Sequence, residues 1–182
     1  KLEKEIKKPF SAEEMERLRD ACSGVRDRAM IEFLYSTGVR VSEMAALDVK
    51  DIEMGRQELI VYGKGSKERK TYLTDSAKFY LKRYLKDRNA QDSEPLFGAE
   101  HHPDRRLTVA GIQYMLRQLG ARAGVEKTHP HRFRRTIATD LLARGMPIEQ
   151  VKEFLGHEKL GTTLIYCTVK EEQVKASHRK YA

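Results

Sequence analysis

The sequence predicts a mainly helical α+β domain carrying one small three-stranded antiparallel β-sheet. Three observations lead there. Apolar residues recur at helical spacing through most of the chain, behind capping signals such as Ser11 followed by Glu14. Between Val49 and Leu73 that period gives way to β-prone runs broken by glycine. At 182 residues and 40% hydrophobic content, the chain has the size and the apolar material for one buried core.

After the Ser11 cap, Met15, Leu18, Ala21 and Cys22 follow at helical steps, so a first helix runs to about Cys22. Met30, Ile31, Phe33 and Leu34 mark a second helix that Gly38 stops, and 41–47 reads as a short third, which puts Arg40 at a helix-to-helix turn. Ile52, then Leu59-Ile60-Val61-Tyr62, then Thr71-Tyr72-Leu73 read as three strands, with Gly55 and the stretch 63–69 as turns. The second turn carries Gly63-Lys64-Gly65-Ser66-Lys67, a glycine-flanked lysine held out at a strand end. Helices are expected over about 75–88, 109–123, 131–144 and 148–155, and over two shorter stretches, 160–166 and 171–179. The longest loop, 89–106, contains Pro95, Gly98 and Pro103.

Lysine and arginine total 35 against 27 acidic residues, giving a formal charge of +8 and a pI near 9.4, which points to a polyanionic partner. The basic residues form no long block, so a folded domain is expected rather than a charged tail. Cys22 and Cys167 match no zinc spacing and read as reduced thiols of a cytosolic protein. His101-His102 and the His129/His131 pair lack the carboxylate or cysteine companions of a metal site, so no metal is expected. No apolar run approaches the roughly 20 residues of a membrane span, and no membrane partner is expected.

The chemistry concentrates in a few residues. His131-Arg132-Phe133-Arg134 is followed by Leu155-Gly156-His157 and, nine positions after that histidine, by Tyr166. Breaking a phosphodiester without a metal requires a nucleophile, positive charge on the non-bridging oxygens, and a proton for the departing 5′ oxygen. Tyr166 can attack phosphorus and leave a 3′-phosphotyrosine that conserves the bond energy for resealing. Its phenol, with an ordinary pKa of about 10, needs a nearby base or strong positive potential. Arg40, Arg134, His131 and His157 can supply these, because guanidinium forks stay charged and bind two phosphate oxygens at once. Lys64 is placed to protonate the leaving oxygen, with Lys67 and Lys70 as rivals for that role.

Together, Thr37-Gly38-Val39-Arg40-Val41-Ser42-Glu43, Gly63-Lys64-Gly65, His131-Arg132-Phe133-Arg134, Leu155-Gly156-His157 and Tyr166 resemble the tyrosine recombinase, or phage integrase, family across the whole chain. The resemblance implies that family's catalytic-domain fold. It makes Arg40 and Arg134 the phosphate-clamping arginines, Lys64 the general acid, Tyr166 the nucleophile, His131 a proton-transfer residue and His157 a donor to the scissile phosphate. Glu43 would orient the site, and Lys67, Arg132 and Arg135 would contact DNA. Arg135 stands where many relatives have histidine, and Cys167 follows the nucleophile. Also implied are double-stranded DNA as partner, a homotetramer on DNA, a Holliday junction intermediate, possible accessory directionality factors, and no cofactor. Residues 1–10 would be a linker from an N-terminal DNA-binding domain, and 11–182 the catalytic domain, ending in a helix that docks on a neighbouring protomer.

The reading that follows is a recombinase for integration or excision of a mobile element, in a bacterial or archaeal nucleoid. Chromosome or plasmid dimer resolution of Xer type is the alternative. A type IB topoisomerase shares the chemistry without exchanging partners, and a catalytically silent DNA-binding regulator would share only the basic charge.

Overall fold

The computed structural model describes residues 8–63, 68–92 and 94–157. The expected helices over 160–166 and 171–179, and Lys64, Lys67, Tyr166 and Cys167, lie outside the described residues. In chain order the elements are α1 (Ala12–Asp20), α2 (Val25–Thr37), α3 (Val41–Ala46), β1 (Ile52–Glu53), β2 (Glu58–Tyr62), β3 (Glu68–Tyr72), α4 (Asp75–Arg88), α5 (Val109–Ala123), α6 (Pro130–Ala143) and α7 (Ile148–Leu155). The three strands form one antiparallel sheet in the order β1-β2-β3. The structure is therefore mainly helical with one small antiparallel sheet, the expected class.

Helix starts follow from side-chain caps. The hydroxyls of Ser11, Thr74 and Thr108 accept from the backbone N–H groups of Glu14, Ala77 and Gly111, satisfying donors that a first helical turn leaves unpaired. α6 begins one residue earlier than the spacing predicts because Pro130 takes its first position, where the absent N–H costs nothing.

α2 is buried along most of its length, its apolar run 29–34 interrupted only by Glu32. Ala29, Met30, Ile31, Phe33 and Leu34 are fully buried, with α2 packed against α4 and α6. Its buried carboxylate Glu32 is met by Arg19 and Arg28, each at 2.8 Å, as burial of a charge requires. The expected linker ends inside packed structure: Phe10 is buried, its ring lies 4.8 Å from that of Phe133, and its N–H donates to Thr136 Oγ1.

The sheet differs from expectation at one edge. Glu68 and Arg69 read as turn, yet with Lys70 they open β3, paired Tyr62 to Glu68 and Val61 to Arg69. Three successive charged residues are poor strand formers, but the pairing with β2 and the inward register of Thr71 override propensity. β3 is stitched to the end of α2: Thr71 Oγ1 donates to the Thr37 carbonyl at 2.7 Å, and Ser36 Oγ donates to the Tyr72 carbonyl at 3.0 Å. Those bonds fix the strand beside the turn at Gly38 to Arg40.

Candidate active site

The site is organised around the end of α7. Gly156 takes φ +63, the left-handed conformation that glycine adopts without strain, and closes the helix. Its N–H donates to the Glu153 carbonyl, and the His157 N–H to the Lys152 carbonyl at 3.1 Å, the paired pattern of a Schellman cap. The last carbonyls of a helix have no partner within it and lie at the negative end of its dipole. Here three successive ones each accept from a different arginine. Phe154 accepts from Arg69 Nη1 at 2.9 Å, Leu155 from Arg134 Nη2, and Gly156 from Arg40 Nη2 at 3.3 Å.

Each guanidinium arrives from a separate element. Arg40 is the residue before α3, where Gly38, at φ +58, has turned the chain out of α2. α6 and α7 pack directly onto that glycine: a Cβ there would stand 3.2 Å from Ile137 and from Leu155. Arg134 lies on α6, 4% exposed, and its Nη1 donates to the Gly38 carbonyl, so one fork spans the ends of two helices. Arg69 comes from β3 on the face shared with Val61.

One buried carboxylate serves this cluster. Glu43 Oε1 accepts from Arg40 Nη1 at 2.8 Å, and its Oε2 accepts from the Arg40 backbone N–H and from Arg69 Nη2, each at 2.7 Å. Glu43 side-chain exposure is 3% and that of Arg69 is 9%, whereas Arg40 is 37% exposed and faces outward. All three guanidiniums are held in part by main-chain carbonyl dipoles, which position a cation without carrying a counter-charge.

His157 leaves the α7 terminus into this surplus of positive charge. Burial, then Arg134, Arg40 and Arg69, push its pKa from 6.5 down to about 4. The imidazole is neutral near pH 7 and acts there as a hydrogen-bonding group rather than as a cation. His131 is exposed on the first turn of α6, three residues before Arg134, a spacing that puts both on one side of the helix.

The structure thus brings together Arg40, Glu43, Arg134 and His157, four of the residues singled out in the sequence. Arg132 is directed elsewhere. Its fork meets the Glu14 carboxylate at 2.7 and 2.8 Å and the Glu126 carbonyl at 2.7 Å, and it lies 4.1 Å over the Phe10 ring, fastening the start of the chain to α6. Arg135 Nη1 donates to the Lys8 carbonyl at 3.3 Å on the same side. Sequence reasoning missed Arg69. The available signal was strand alternation: counting back by two from Leu73 and Thr71 puts it on the buried face. Among the described residues no three histidine, cysteine or acidic side chains come together as a metal site, and no helix is long and apolar enough to cross a membrane. Burial raises the pKa of the Cys22 thiol to about 12, leaving it unreactive near neutrality.

Residues 8–173 match the model of the Phage integrase family. The chain is 40% identical over 190 residues to the tyrosine recombinase XerC of Leptospira interrogans serovar copenhageni, covering 99% of this chain and 60% of that protein. It is 40% identical over 166 residues to XerD of Oceanobacillus iheyensis, covering 86% and 54%. Among solved structures, the XerA recombinase superposes with a TM-score of 0.83 at 30% identity, over all of this chain and 66% of that one. The Tn1549 transposon integrase bound to transposon right end DNA gives 0.81 at 20% identity, over 98% and 67%, a likeness of fold. The chain spans little more than half the length of these curated relatives. By its matched length and by its relatives, the chain belongs to the phage integrase family of tyrosine recombinases.

Proposed function

We propose that this chain is the catalytic domain of a site-specific DNA recombinase that cuts and rejoins strands through a 3′-phosphotyrosine. One observation carries the reading: three arginines from three elements converge on one helix end beside His157, two of them oriented by the Glu43 carboxylate. A phosphate whose charge grows in a pentacoordinate transition state suits such a cluster. The Tyr166 oxygen bonds to phosphorus, the bond from phosphorus to the 5′ oxygen breaks, and that oxygen takes a proton from Lys64. Tyr166 gives up its own proton to a base, the role assigned to His131. Arg40 and Arg134 hold the phosphate, neutral His157 donates to it, and Glu43 orients Arg40. Lys67, Arg132 and Arg135 are the proposed DNA contacts, Arg132 by way of the N-terminal segment it fastens. Nothing in this scheme calls on a cofactor, and the acting form is a homotetramer on two duplexes.

Within that class, the XerC and XerD relatives favour chromosome or plasmid dimer resolution over integration of a mobile element. The test is to quench the protein on DNA with SDS, map the covalent adduct by peptide sequencing, and run Tyr166→Phe in parallel. An adduct on Tyr166 that the variant loses supports the mechanism; DNA binding without any adduct, on nicked sites and with the full-length protein, would point to a silent regulator. Sequencing the DNA trapped in the host separates the two biologies. A single chromosomal locus indicates dimer resolution, and the ends of an excisable element indicate integration.

A further inference from the structure

We propose that Arg69 is a positioning residue of this site, holding Glu43 and the end of α7 so that Arg40 presents a full charge to the phosphate. The inference rests on the recombinase reading and adds a residue to it. Arg69 is too buried to reach DNA: its two terminal nitrogens are taken by Glu43 Oε2 at 2.7 Å and by the Phe154 carbonyl at 2.9 Å. Its stem lies against Gly156, where an added Cβ would be 2.5 Å from its Cδ. It therefore ties β3, α3 and the α7 terminus together at the point where Arg40 and His157 emerge.

Charge explains why an arginine is needed there. Arg40 and Glu43 alone form a neutral pair at 2.8 Å, a cation already spoken for. Arg69 supplies the counter-charge to Glu43, leaving the carboxylate free to orient Arg40 without neutralising it. Arg40 and Arg69 against Glu43 leave one net positive charge, and removal of Arg69 takes it away. A lysine keeps the charge but offers no fork to bridge a carboxylate and a carbonyl on different elements.

The experiment compares wild type, Arg69→Lys, Arg69→Gln and the double variant Glu43→Gln/Arg69→Gln in the full-length protein. DNA affinity and single-turnover formation of the Tyr166 adduct are measured on a nicked duplex bearing the site trapped in the host. Arg69→Gln is expected to slow cleavage at least 10-fold with affinity within about 3-fold of wild type, and Arg69→Lys to fall between them. The double variant restores the charge balance and is expected to cleave faster than Arg69→Gln. Wild-type cleavage by Arg69→Gln, a double variant no faster than the single one, or parallel loss of affinity and cleavage would overturn the assignment. Should Arg69→Gln not fold, the same ranking is read from Arg69→Lys and the double variant. No adduct from wild type would instead sink the recombinase reading, and this assignment with it.

Discussion

Arg134 illustrates how a backbone can hold a charge in place. Both ends of its fork rest on backbone carbonyls, those of Gly38 and Leu155. Arg134→Lys keeps the charge and loses the bridge, so cleavage is expected to fall by roughly 100-fold while DNA affinity changes far less, as measured by single-turnover cleavage beside a binding titration. His157 carries a pH signature. Unfolded, its imidazole titrates near 6.5, and folded near 4, so between those values the unfolded chain binds a proton the native state refuses. Its contribution to stability is complete above about pH 6.5 and lost as pH falls to about 4. Urea unfolding at steps between pH 4 and 7.5 should show that slope in wild type and a shallower one in His157→Gln; equal slopes would refute it. At this scale Arg40, Glu43, Arg134 and His157 were legible because motif order and spacing mark them. Arg69 was not, because a charged residue in a lysine-rich hairpin looks like solvated surface until strand register turns it inward.

Among elements, the end of α7 is the most exacting. Gly156→Ala places a side chain at positive φ and drives its Cβ into the Arg69 stem. About 1 kcal/mol or more of stability should be lost, seen as a lower midpoint in chemical denaturation, together with a disproportionate loss of cleavage. α1 offers the contrast. Ser11→Ala removes the capping hydroxyl and should cost about 1 kcal/mol, with cleavage by the folded protein unchanged in single-turnover assays. Among the described residues, helix positions were readable from the sequence to within a few residues, since periodicity and caps are local. β3 was read too short because its first residues gain their strand conformation from β2, a partner the local pattern does not reveal.

Across the whole molecule, the +8 charge bears on the proposed association with DNA. Binding that draws on phosphate contacts releases counterions, so affinity is expected to fall about 1,000-fold or more between roughly 50 and 200 mM salt. Fluorescence anisotropy across that range would contradict a phosphate-dominated interface if it stayed flat. The fold class was visible in the sequence because 3.6-residue periodicity dominates it. How the arginines converge was not, since the two motif arginines, Arg40 and Arg134, lie 94 positions apart and meet only through the packing of α6 and α7 over the end of α2.

The use of main-chain oxygens as the arginines' acceptors also shapes how this site tolerates genetic change. No codon change can delete a carbonyl, so the acceptors at Phe154, Leu155 and Gly156 survive any substitution that leaves the backbone path intact. A mutational scan should therefore find the polar half of the cluster vulnerable at the arginines, Glu43 and His157 rather than at the arginines' acceptors. At Phe154 and Leu155 it should tolerate other apolar side chains, and at Gly156 almost nothing, so that the position with the smallest side chain is the least replaceable of the three.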